Sequence, residues 1–237
     1  MTLFPVVMPV IEAECNPSGK EAVDRLSRIA REALEVSAQK SRVKLGELLK
    51  DGDGAPCPVD GIYWSLSHKP KYVAAVVSND KVGIDIEQVK PRTESLFARV
   101  AGDAEWELKE KSWDTLFRYW TAKEAVLKVI GIGIGGLRTC RITSVLDDNH
   151  ITLDYRGRLF LVEQLRHNNH IVSVLKDNND IDWIIMEEPG SRVLEPKETE
   201  QPDSTRPTSY RVEISAYTEC RPIKPCCIFR DMTSLDV

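Results

Sequence analysis

Two short segments carry residue types that could do chemistry. In Val82-Gly83-Ile84-Asp85-Ile86-Glu87, two carboxylates stand two positions apart in a run rich in β-branched residues. Such a run predicts a short strand. Side chains two apart on a strand share a face, so Asp85 and Glu87 point one way and Ile84 and Ile86 the other. Neighbouring carboxylates repel each other unless a cation stands between them. Oxygen ligands of this kind suit Mg²⁺, which takes one or two carboxylates and fills its shell with water and phosphate oxygens. Taken alone, the segment is also what an amphipathic edge strand with a wet acidic face looks like. The second segment is Trp120-Thr121-Ala122-Lys123-Glu124-Ala125-Val126-Leu127-Lys128. Glu124 and Lys128 are four apart, and on a helix surface such a pair is worth only about 0.2–0.5 kcal/mol. Lys123 is different, because it falls among apolar residues. It must either snorkel out of the core or meet a buried anion, and a phosphate in a cleft would be one.

These residues need a strand and a helix to hold them. Leu116, Tyr119, Trp120, Lys123, Val126, Leu127 and Ile130 recur at a helical period, with Glu124 and Lys128 together at the edge of that stripe. Asp114 is placed as the N-cap and Gly131 as the C-terminal stop. Upstream, Lys20 to Lys50 reads as helical. Residues 51 to 61 form a Gly/Pro/Asp loop, and strands are expected at 62–67 and 72–78. Downstream, strands are expected near 138–146, 150–155, 158–163, 170–176 and 181–187. Gly131, Gly133, Gly135 and Gly136 follow a helix C-terminus, where the dipole disfavours anions, so they read as a turn and not as a phosphate loop.

A third segment sits between these elements. Trp64-Ser65-Leu66-Ser67-His68 is followed by the strand-like Tyr72-Val73-Ala74-Ala75-Val76-Val77-Ser78. By themselves Ser67 and His68 read as a turn serine and a histidine at a strand end. Taken jointly, the three segments resemble the signature of the 4′-phosphopantetheinyl transferase superfamily. That signature is a Gly-(Ile/Val)-Asp-x-Glu strand followed some forty residues on by Trp-x-x-Lys-Glu-(Ala/Ser)-x-x-Lys, with a Ser-His loop upstream. Here Glu124 follows Asp85 by 39 positions. The resemblance runs from about Arg31 to Glu188 and is nearer the larger, monomeric type that activates peptide and polyketide synthetases.

The resemblance implies an α+β fold of two similar halves related by pseudo-twofold symmetry, residues 1–80 and 81–188, with coenzyme A in the cleft between them. It implies transfer of the phosphopantetheine arm of coenzyme A to a serine of an acyl or peptidyl carrier protein, with 3′,5′-ADP leaving. Asp85, Glu87 and Glu124 would hold Mg²⁺. Glu124 would also help deprotonate the serine. Lys128, helped by Lys123, would stabilise charge on the phosphates, and Ser67 and His68 would contact the 3′-phosphate of coenzyme A. The alternative is a silent coenzyme A or nucleotide-phosphate module on the same fold. Retention of Asp85, Glu87, Glu124 and Lys128 argues against it. One departure stands out: relatives often carry Gly-Lys-Pro before the Ser-His loop, and here the triplet is Gly54-Ala55-Pro56. Lys50, Lys69 or Lys71 could substitute for the missing lysine.

The chain has 237 residues, is 42% hydrophobic and 29% charged, and carries a net charge of −5. That balance argues against a general nucleic-acid binder. No apolar run reaches membrane-spanning length and no signal pattern opens the chain, so a soluble cytoplasmic protein is expected, and two halves in one chain make a monomer the expectation. Carrier proteins are typically acidic, so docking one would need a local basic patch. Lys90, Arg92, Arg99, Lys109 and Lys111, with Leu96, Phe97 and Val100 between them, are the candidate. Cys15, Cys57, Cys140, Cys220, Cys226 and Cys227 show no Cys-x-x-Cys spacing, which argues for reduced thiols and against zinc. Residues 189–237 form a linker and C-terminal extension. Pro189 to about Ser209 is poor in large apolar residues, and Tyr210 to Phe229 regains alternation that could add a strand at a sheet edge.

Overall fold

A computed structural model of the chain describes residues 1–11, 19–52, 54–187 and 210–212. Within them lie α1 (Lys20–Lys40), α2 (Ser95–Val100), α3 (Asp103–Trp106) and α4 (Trp113–Ile130). The N-terminal strands are β1 (Thr2–Leu3), β2 (Val6–Pro9), β3 (Tyr63–His68) and β4 (Tyr72–Ser78). Those of the second half are β5 (Ile84–Gln88), β6 (Cys140–Val145), β7 (His150–Tyr155), β8 (Arg158–His167) and β9 (His170–Leu175). β10 (Asp180–Ile181), β11 (Ile184–Met186) and β12 (Tyr210–Val212) complete the list of strands. One five-stranded sheet runs β12-β11-β2-β4-β3 and the other β5-β9-β8-β7-β6, while β1 pairs with β10. The fold is α+β, as expected.

β4 runs antiparallel beside β2, and β9 antiparallel beside β5. Helix α1 covers the outer face of the first sheet, packing Ala30, Ala33 and Leu34 against Val6, Val73, Ala75 and Val77. Helix α4 covers the outer face of the second. The inner faces meet each other, with Val7, Ala74 and Val76 against Ile84, Ile86, Val172 and Val174. This shared apolar layer fixes the two halves as one unit, since separating them would expose a row of fully buried aliphatic side chains.

The structure redraws several expected boundaries. Helix α1 stops at Lys40, not Lys50, because Arg42 enters the left-handed region (φ 57°) and Val43 N–H closes back on Ala38 O. Val43, Leu45 and Leu48 still reach the core, but from non-helical chain. The division after residue 80 is crossed in the other direction as well. β10 and β11, placed by sequence in the second half, pair parallel with β1 and β2 of the first. Tyr210–Val212 adds an edge strand parallel to β11. Residues 189–209 and 213–237, with Cys15, Cys220, Cys226 and Cys227, lie outside the described residues. Cys57 and Cys140 are free thiols.

Candidate active site

The site is assembled at the junction of the halves, and β5 starts it. Ile84 and Ile86 enter the shared apolar layer. Strand alternation therefore turns Asp85 and Glu87 to the opposite face, toward α4. Both carboxylates are buried, each 6% exposed. Gly83 explains how the helix comes so close: a Cβ there would stand 1.9 Å from Ala125 O, inside any permitted contact. Only glycine lets the α4 backbone lie against the strand at this point.

Helix α4 begins at Ser112, whose hydroxyl accepts from Thr115 N–H at 3.2 Å. The N-cap is thus two residues before the expected Asp114, which sits in the first turn and pairs with Arg166. The end is as expected: Gly131 takes the left-handed conformation (φ 78°) and its N–H reaches Leu127 O. The helix is buried on nearly every side, and Glu124 and Lys128 are among its few half-exposed residues. Lys128 Nζ donates to Asp85 Oδ1 (2.9 Å), Ile84 O (2.7 Å) and Leu66 O (3.4 Å). One ammonium thus joins α4, β5 and β3.

The first half contributes through β3. Ser65 and Ser67 share a face: Ser65 Oγ accepts from Ile84 N–H at 3.1 Å, and Ser67 Oγ donates to Asp85 Oδ1 at 2.8 Å. The structure therefore sets Ser67 on a carboxylate of the site. His68, the last residue of β3, is half-buried. Of the three lysines weighed as substitutes for the one missing at Ala55, Lys69 is brought to Glu87, with Nζ 2.7 Å from Oε1. Arg92 adds a second positive charge, 3.7 Å from Glu87 Oε2. Sequence reasoning placed Arg92 on a docking surface instead. Its only local clue was its position just past the carboxylate strand. The rest of that basic segment is also altered by folding: Leu96, Phe97 and Val100 turn into the core, leaving Lys90, Arg99 and Lys109 outside.

Three oxygens in this cluster are buried without a hydrogen-bond partner: Asp85 Oδ2, Glu87 Oε2 and Glu124 Oε1. Such atoms are costly unless something positive meets them. Burial, then the charges of Asp85 and Glu87, push the Glu124 carboxyl up to about 7, against the opposing pull of Lys128 and Lys69. Glu87 is raised too, by burial first, with Lys69 opposing and Asp85 adding. The carboxylates are held apart, with ammonium groups on two of them. Among the described residues no three His, Cys, Asp or Glu close into a ready ligand cage. The donor set is nevertheless all oxygen and under-satisfied, which fits a hard divalent cation and not zinc or copper.

Lys123 is not brought to this cluster. Its ammonium is fully buried and meets a protein anion, Glu105 Oε1, at 2.6 Å. It also donates to Val100 O (2.6 Å) and Leu137 O (3.2 Å). Of the two outcomes open to a lysine in an apolar stripe, a buried anion is the one found, but that anion is a carboxylate supplied by α3. Glu105 was not singled out from sequence. The pattern Gly102-x-x-Glu105, in which Glu105 Oε2 accepts from Gly102 N–H, is an ordinary helix-start signal and gave no hint of Lys123.

Buried carboxylates with orphaned oxygens, rimmed by ammonium groups, thus stand together at the junction of β3, β5 and α4. Comparison with known proteins adds to that picture. Residues 81–187 match the family model of the 4′-phosphopantetheinyl transferase superfamily. The chain is 37% identical over 90 residues to the 4′-phosphopantetheinyl transferase HetI of Nostoc sp., covering 35% of this chain and 38% of that protein. It is 26% identical over 98 residues to a 4′-phosphopantetheinyl transferase of Bacillus subtilis, covering 39% and 44%. It is 28% identical over 110 residues to the 4′-phosphopantetheinyl transferase psf-1 of Bacillus pumilus, covering 44% and 47%. The matched stretches span less than half the length of these relatives. Ser67, His68 and Lys69 lie before the segment matched by the family model. Among the described residues no helix is long and apolar enough to cross a membrane.

Proposed function

We propose that this protein transfers the 4′-phosphopantetheine group of coenzyme A to a serine of an acyl or peptidyl carrier protein, releasing 3′,5′-ADP. The observation that carries the reading is that Asp85 Oδ2, Glu87 Oε2 and Glu124 Oε1 are each buried without a hydrogen-bond partner. It is supported by the match of residues 81–187 to the superfamily's family model. In this reading Asp85, Glu87 and Glu124 hold Mg²⁺, which when bound neutralises charge on the pyrophosphate. Phosphoryl transfer asks a protein mainly for positioning and electrostatic stabilisation.

The remaining roles follow from the side chains themselves. Lys128 and Lys69, each about a quarter exposed at the rim, supply ammonium groups to the phosphates. Ser67 keeps Asp85 oriented through its 2.8 Å hydrogen bond. Glu124, in this reading, would accept the proton of the attacking serine, directly or through a water. In the product that oxygen is bonded to the phosphorus carrying the pantetheine arm, and the bond from that phosphorus to the ADP oxygen is broken. Ser67 and Lys69 come from the first half and the other residues from the second. A single chain therefore completes the site, consistent with a monomer working on a separate carrier.

The test is direct. The protein is incubated with coenzyme A, Mg²⁺ and several apo carrier proteins, and the carriers are weighed by mass spectrometry. A phosphopantetheine adduct on the carrier serine is expected, dependent on Mg²⁺. No adduct on any carrier would overturn the reading.

A further inference from the structure

We infer that Lys123 serves the reaction as a positioning residue, one half of a buried brace with Glu105 that sets the rotation of α4, and that it touches no phosphate. This rests on the function proposed above. An ammonium group has three hydrogens to donate. Those of Lys123 meet Glu105 Oε1, Val100 O and Leu137 O, at 2.6, 2.6 and 3.2 Å. Its donor capacity is filled, and none of the side chain reaches solvent.

Glu105 is just as fully used. Oε1 also accepts from Ile142 N–H at 2.8 Å and Oε2 from Gly102 N–H at 2.9 Å. Its backbone carbonyl accepts from Tyr119 Oη at 3.0 Å. The pair therefore ties α4, at two points one turn apart, to the end of α2, to α3, to the turn after α4 and to β6. Burial lowers the proton affinity of Lys123, and the carboxylate of Glu105 opposes that. Cys140, close by, supplies no countercharge, because burial pushes its thiol up to about 12.

The consequence for the site is geometric. Residues adjacent in a helix are rotated by about 100°. Lys123 anchors one side of α4, and the close approach of Gly83 to Ala125, two residues on and rotated by about 200°, pins another, with Glu124 between them. The Glu124 carboxylate is aimed by these two fixtures. Displacements of about 1 Å in a catalytic group can cost about 10²-fold in rate. A residue buried away from the reacting atoms can thus control the reaction through position alone.

Two substitutions and their combination decide between brace and phosphate ligand: Lys123→Met, Glu105→Gln and both together. Wild-type transfer is measured first. Removing one partner of a buried ion pair leaves an uncompensated charge, whereas replacing both can be nearly neutral. In the double variant the amide oxygen can still accept from Ile142 N–H, and what is left unpaired, such as Gly102 N–H, is neutral and not a buried charge. The expected pattern is a low urea midpoint for Lys123→Met, recovered in the double variant, with transfer by the double variant within about tenfold of wild type and an unchanged KM for coenzyme A. Glu105→Gln alone, which keeps the lysine, is expected to lower kcat with that KM unchanged. The brace is overturned if the double variant folds but loses about 10²-fold or more in transfer or raises the coenzyme A KM. It is equally overturned if Glu105→Gln leaves kcat untouched. Should the wild type modify no carrier, the functional reading fails by itself. The unfolding data still decide the brace, since additive midpoint shifts would refute it.

Discussion

In chelator, Glu124→Gln is expected to make the protein more stable at pH 8 while abolishing its proposed transfer activity. The Glu124 carboxyl is raised from 4.5 to about 7 by burial and by Asp85 and Glu87. In the unfolded chain it releases its proton near pH 4.3. Between about 4.5 and about 7 the folded protein therefore holds a proton that the unfolded chain has lost. The stability linked to that proton is fully present below the unfolded value and disappears as pH rises through the folded one. At about 1.4 kcal/mol per pKa unit the full effect would be about 3 kcal/mol. Partial exposure of Glu124 and screening at the open edge of the site reduce this to about 1–2 kcal/mol. Glutamine is a neutral isostere, so it should recover that amount at pH 8 and nothing at pH 4. Urea unfolding of both proteins in chelator across pH 4–8 measures it. A variant no more stable than wild type at pH 8, or a gain that persists undiminished at pH 4, would refute the account of the site as an under-compensated carboxylate cluster.

Three further outcomes are expected. Gly83→Ala places a Cβ 1.9 Å from Ala125 O, and should cost about 3 kcal/mol, the upper end for overpacking, and suppress transfer; an unchanged urea midpoint would contradict the close approach of α4. Lys69→Met strips Glu87 of its 2.7 Å ion pair, so the metal-free protein should lose about 1.5 kcal/mol and gain more stability from added Mg²⁺ than wild type does. Equal Mg²⁺ gains in thermal unfolding would count against cation binding at Glu87. Hydrogen bonding from Arg166 holds the Asp114 carboxyl below its usual range, so Asp114→Asn should destabilise at pH 7. The effect should fade as pH falls through that lowered value, and stay below about 1 kcal/mol because the pair is well exposed; a loss that remains at pH 2 would show another cause.

The chemistry-bearing residues were legible because their arrangement follows local periodicity. A strand repeats every two residues, so Asp85 and Glu87 had to share a face opposite Ile84 and Ile86, and the apolar layer between the halves confirms that face. A helix repeats near 3.6, so Glu124 and Lys128 stand together whatever surrounds them, and Gly131 ends α4 because a left-handed residue is least strained as glycine. At the end of α1 the deciding feature was a single local reversal of the chain. Val43, Leu45 and Leu48 continue the apolar content of α1, but the reversal at Arg42 turns them into the core from non-helical chain.

What sequence by itself determined was the facing of Asp85 and Glu87 on their strand and of Glu124 and Lys128 on their helix. Tertiary structure decided which faces meet. It chose Lys69 among three lysines by carrying the end of β3 to β5, and it drew Arg92 in beside Glu87. It returned β10 and β11 to the first sheet, across the boundary that a linear reading drew. It also gave Lys123 a carboxylate partner from a separate short helix. The physical reason is common to all four. Periodicity records how a side chain is aimed relative to its own backbone, whereas the partner of a buried charge is whatever the packing of remote segments leaves within reach.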